Sequence, residues 1–73
     1  LVSGADKLHN ARAIVSDLLS LGPEVFDRFT AKREGTLWYY RQLAGIFSRR
    51  NAPMARQLEA TVAEMERLAG IAP

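Results

Sequence analysis

Apolar residues recur at helical spacing in three stretches of this chain, and glycine and proline interrupt the pattern between them. No stretch alternates polar and apolar residues as a half-buried strand does, so the sequence predicts an all-α fold. The first stretch runs from about Ser3 to Leu21. Leu8, Ala11, Val15 and Leu18 form one stripe, Ile14 and Leu19 widen it, and Gly22-Pro23 ends it. Asp6, Asn10 and Asp17 share the opposite face. Val25, Phe26 and Phe29 follow Pro23 at one-turn spacing, enough for a short helix of about two turns. Gly35 then breaks the chain and Thr36 is placed to cap the next helix, whose stripe is Leu37, Tyr40, Ala44 and Phe47, broadened by Leu43 and Ile46. Asn51 and Pro53 mark the start of the last helix. Its apolar face carries Met54, Leu58, Thr61, Met65 and Leu68, its polar face Arg56, Glu59, Glu66 and Arg67, and Gly70 can supply a left-handed C-terminal residue. Such short connections favour antiparallel neighbours, so a small helical bundle of three main helices plus a short one is expected.

A chain of 73 residues builds one small domain, whose core alone supplies only a few kcal/mol of net stability. There is no cysteine, which closes the disulfide route to extra stability and leaves a partner surface or a metal. Hydrophobic residues at 48% and charged residues at 25% put the chain outside the low-hydrophobicity class that stays disordered. A formal charge of +2 is too small to call for nucleic acid or an anionic membrane. No apolar run approaches the roughly 20 residues that cross a bilayer, and Leu1 to Asp6 carries no basic leader before an apolar stretch. A soluble, cytoplasmic chain with no nucleic-acid or membrane partner is the expectation.

The polar residues that carry chemistry crowd into Ala5-Asp6-Lys7-Leu8-His9-Asn10-Ala11-Arg12. Asp6 and Asn10 lie one helical turn apart, and His9 is also within a turn of Asp6. An aspartate and a histidine at this spacing suit a divalent metal, which normally needs four or more ligands. From spacing alone, the plainer reading is an acid at the helix dipole beside a solvated histidine.

The run Ala5-Asp6-Lys7-Leu8-His9-Asn10-x-Arg12 resembles the last motif of the HD-superfamily metal-dependent phosphohydrolases, especially the guanosine tetraphosphate (alarmone) hydrolase branch. Phe26-Asp27-Arg28-Phe29 and Leu37-Trp38-Tyr39-Tyr40-Arg41 resemble the segments that follow this motif in small bacterial HD-domain proteins. The resemblance implies that residues 1–73 are a partial HD domain, its C-terminal half. In that family a histidine, an adjacent His-Asp pair and a later aspartate hold the ion, and Asp6 matches the later aspartate. Asn10 matches an asparagine that lies against the bound nucleotide, and Arg12 a motif arginine that contacts phosphate or pairs with a carboxylate. Lys7 and His9 take supporting places.

The cofactor so implied is a divalent metal, manganese, and the substrate a guanosine tetraphosphate-like nucleotide or another phosphate ester. The single histidine is His9, and no His-Asp dipeptide occurs, so no catalytic set is complete in this chain. Alone it is expected to be inactive, and to self-associate or to pair with a complementary chain carrying the other ligands. The alternative is a non-enzymatic helical interaction module that keeps an HD-like bundle.

Three other features have plainer readings. Tyr40 belongs to the core stripe, and Trp38 and Tyr39 are placed to cover the bundle edge rather than to stack a base. Arg49 and Arg50, with Lys32 and Arg33, form two basic pairs able to attract polyphosphate, but such pairs commonly make only a solvated face, and Arg49 and Arg50 offset the dipole at a helix C-terminus. Glu64 and Glu66 fall on different faces of the last helix and point to solvent, which leaves no pair for general acid-base work.

Overall fold

A computed structural model describes residues 4–28 and 32–70 of the chain. Helix α1 spans Gly4–Leu21, a 3-10 helix Pro23–Arg28, α2 Lys32–Arg49 and α3 Ala55–Leu68. The described residues are otherwise turns, with no strand among them. The predicted all-α bundle of three main helices and a short one is therefore present. Phe29, expected in the short helix, and Ser3, expected at the start of α1, lie outside the described residues.

Each helix ends where the chain can turn left-handed. Gly22, at φ 83°, follows α1 and donates its N–H to the Leu18 carbonyl at 2.9 Å, satisfying one of the orphan carbonyls of the last turn. Asn51, at φ 56°, does the same for α2: its N–H reaches Ser48 O at 3.1 Å, and that of Ala52 reaches Phe47 O at 3.0 Å. This paired pattern is the Schellman motif. Asn51 therefore closes α2 rather than opening α3. Gly70, at φ 86°, follows α3, as the sequence predicted.

Helix α3 packs against both α1 and α2, which approach each other less closely than either approaches α3. Leu58, Val62 and Met65 on α3 are fully enclosed, and they meet Ala11, Ile14 and Leu18 from α1, Leu37, Tyr40 and Ala44 from α2, and Val25 and Phe26 from the 3-10 helix in one core. Arg33, near the start of α2, donates to the carbonyl of Ala69 beyond the end of α3 at 3.1 Å, so these two helices run antiparallel. The start of α1 abuts Phe47, near the end of α2.

Several periodicity-based expectations shift by one position. Leu19 and Ile46 were placed on apolar stripes, yet both are exposed. Ile14, not Val15, lies in the α1 core, while Val15, Leu43, Phe47 and Leu68 pack half-buried at its edge. On α3, Val62 takes the interior place assigned to Thr61, whose hydroxyl instead donates to Gln57 O at 2.8 Å. A stripe of three to four residues per two turns leaves room for such one-residue rotations.

The larger correction concerns α2. It begins at Lys32, so Gly35 and Thr36 sit inside its first turns rather than breaking and capping it, and Thr36 is buried. Glycine in a helix costs about 1 kcal/mol relative to alanine. The extra turn offsets that by holding Arg33 where it ties α2 to α3 and by burying Thr36 and Leu37.

Candidate functional site

The residues that carry the motif are displayed along α1. Asp6 stands in its first turn, where the positive end of the helix dipole favours a carboxylate. Its side chain is exposed, and no described residue gives it a hydrogen bond, cap or ion pair. One turn on, exposed Asn10 lies at the rim of an open cleft of about 300 Å³ that Ala13, Ile14, Asp17 and Tyr40 complete. The cleft lies between α1 and Tyr40 of α2. Ile14 and Tyr40 belong to the core and give it an apolar floor, while Asn10 and Asp17 give it a polar wall.

Of α2, Tyr40 alone lines the cleft, with Tyr39 beside it in sequence. Tyr39 and Tyr40 meet edge to face, with ring centroids 5.1 Å apart and planes at 84°, and Lys7 Nζ stands 5.3 Å from the Tyr39 ring centroid. Hydrogen bonding to Tyr39 raises the Lys7 pKa above its ordinary value, and burial raises that of the Tyr40 phenol. Both groups thus keep their protons at neutral pH. Tyr40 takes the core place expected of it, whereas Trp38 is 65% exposed and Tyr39 is exposed too, so neither is fully used in covering the bundle.

Asp6 and Asn10 share one face, but Arg12 does not join them. Two residues at about 100° each carry it to nearly the opposite side of α1 from Asn10. It is exposed, and no described carboxylate pairs with it. His9 is exposed on a third direction. A manganese-like ion needs several oxygen or nitrogen donors around one point. Among the described residues no group of three or more His, Cys, Asp or Glu side chains comes together. The residues present therefore do not by themselves fit a metal, and Asp6 supplies one carboxylate at most.

Several of the remaining charged residues are engaged elsewhere. Arg33 bonds Ala69 O at 3.1 Å and Glu34 Oε2 at 2.9 Å, and exposed Lys32 has its Nζ 3.5 Å from Asp27 O. Glu66 is half-buried and paired with Arg41, and Glu64 pairs with Arg67, a correction to the expectation that both point to solvent. The sequence reading also missed that Arg41 joins Glu59 and Glu66. The signal was there: Glu59 and Glu66 are seven residues apart and so share one face of α3.

Compared with known proteins, the chain matches no family, no curated protein and no solved structure.

Proposed function

We propose that this chain forms the C-terminal part of a cytoplasmic HD-type metal-dependent phosphohydrolase that acts on a guanosine tetraphosphate-like nucleotide or another phosphate ester. Asp6 is one ligand of its divalent ion, manganese, and Asn10 lies against the nucleotide. The observation that carries this reading is the state of Asp6: an exposed carboxylate, uncapped by any described residue, one turn from an asparagine at the rim of an open cleft.

The other ligands come from a segment that carries the histidine and the His-Asp pair and packs along the cleft. The chain's own part is to present Asp6 and Asn10 on a rigid helix whose buried face is fixed by α3. Arg12, on another side of α1, is left for contact with that segment or with phosphate. Among the described residues no helix is long and apolar enough to cross a membrane.

The test is phosphate release from guanosine tetraphosphate by this chain mixed with a polypeptide carrying the histidine and His-Asp motifs. Activity that needs both parts and disappears in Asp6→Ala supports the proposal. Tight pairing without hydrolysis would instead favour a non-enzymatic interaction module.

A further inference from the structure

Gly35, Trp38, Gln42, Gly45 and Arg49 follow along α2 at steps of three, four, three and four, the repeat that keeps one seam of a helix turned toward a partner helix. Trp38, Gln42 and Arg49 are exposed on this seam, Trp38 by 65%. The core residues of α2, Leu37, Tyr40 and Ala44, take the opposite side, and Lys7 of α1 meets the helix on its flank, at Tyr39. An added Cβ at Gly45 would meet only the far end of the Arg49 side chain, at 3.3 Å, so among the described residues no other element covers the seam there.

Two pairings along the seam are reciprocal. Gln42, Gly45, Ile46 and Arg49 frame a hole of the kind that receives a knob from a facing helix, and Gly45 leaves its floor bare. Trp38 is such a knob. The midpoint between Trp38 and the hole falls between Arg41 and Gln42, and so does the midpoint between Glu34, in the first turn of α2, and Arg49, in its last. A second α2, antiparallel and turned about that point, therefore receives Trp38 in its hole and sets its Arg49 beside Glu34, and both contacts occur twice by symmetry. Glu34 already accepts two bonds from Arg33, both on Oε2, but its side chain is 76% exposed and a carboxylate accepts more than two bonds.

We infer that two copies of the chain pair α2 against α2, antiparallel, with Trp38 of each seated over Gly45 of the other and Glu34 of each beside Arg49 of the other. An unlike partner would not need the two pairings to share one midpoint, whereas a second copy does. Knob, hole, acid and base all lie on one helix, so their relative placement follows from helix geometry alone. One 18-residue helix, about 27 Å long, buries less than the about 800 Å² per partner of a standard stable complex. The pair therefore forms at high micromolar concentration and exchanges with monomer. No residue of α1 enters the seam, so the inference does not rest on the phosphohydrolase reading.

The experiment is sedimentation equilibrium of the 73-residue chain from low micromolar to about 1 mM, with Glu34→Arg, Arg49→Glu and Gly45→Ala, each checked for helix content by circular dichroism. The wild type is expected to approach twice the chain mass at the upper end, with the emission of Trp38, the only tryptophan, shifting to the blue as it does. Glu34→Arg alone and Arg49→Glu alone each oppose like charges at both symmetric contacts and weaken association by about tenfold, while an equimolar mixture of the two regains it. Gly45→Ala raises the floor of the hole and weakens association several-fold, although it raises the melting midpoint of the dilute monomer. A wild type that stays monomeric at about 1 mM overturns the inference and leaves the seam to an unlike helix or a lipid surface. Charge variants that associate as well alone as mixed overturn it too.

Discussion

Arg41 on α2 grips Glu66 on α3 through two parallel bonds, Nε to Oε2 at 3.0 Å and Nη2 to Oε1 at 2.7 Å, and its remaining nitrogen reaches Glu59 one face-repeat away. Both carboxylates hold the guanidinium well above its already high ordinary pKa, Glu66 chiefly. A single surface pair contributes about 0.2–1 kcal/mol, but a forked arginine shared by two acids stands above that. Arg41→Ala should therefore lower stability by about 1–2 kcal/mol, read from the urea midpoint. Arg41→Lys should recover less than half of the loss, because an ammonium cannot make the fork.

Glu64, bonded by Arg67 three residues on, has its pKa lowered below the ordinary glutamate value. A depressed folded-state pKa stabilises the fold above the unfolded glutamate value, and that contribution disappears as pH falls through the folded value. The Glu64 carboxyl resonance should titrate at lower pH than a free glutamate, and Arg67→Gln should move its midpoint up. A midpoint unmoved by that substitution would show that the pair is not formed in solution.

Leu58 is wholly enclosed where α1, α2 and α3 meet. Leu58→Ala should cost about 2–5 kcal/mol, as much as a domain of this size has to lose. Thermal melts by circular dichroism should show the variant largely unfolded at room temperature. Leu19→Ala, by contrast, removes a side chain that is 67% exposed and should leave the monomer's stability within about 0.5 kcal/mol.

Gly45 sits in the interior of α2, where an added Cβ would meet only the mobile end of the Arg49 side chain, at 3.3 Å. Alanine there gains helix propensity without displacing any packed group. Gly45→Ala should stabilise the protein by about 0.5–1 kcal/mol, seen as a rise in the melting midpoint.

Helix number and the main core positions were legible because Leu8, Ala11, Leu18, Leu37, Tyr40, Ala44, Leu58 and Met65 repeat at helical spacing and all prove buried. The start of α2 was not legible. Gly35 reads as a breaker, and the tertiary bond from Arg33 to Ala69, with the burial of Thr36 and Leu37, explains why the helix runs through it. Asn51 misled for a related reason: an asparagine serves a helix start and a left-handed helix end equally well, and the preceding turn of α2 decides between them. At the candidate site the sequence showed that Asp6 and Asn10 share a face. It could not show the cleft, which depends on how the helices pack, nor that Tyr40 of the core lines it.

The most direct test of the account is a calorimetric titration of manganese into this chain combined with a polypeptide that supplies the histidine and His-Asp pair. The account predicts one ion bound per pair, with affinity falling by at least about tenfold in Asp6→Ala and little changed in the exposed neighbour variant His9→Ala. Equal manganese affinity with and without the Asp6 carboxylate would contradict it.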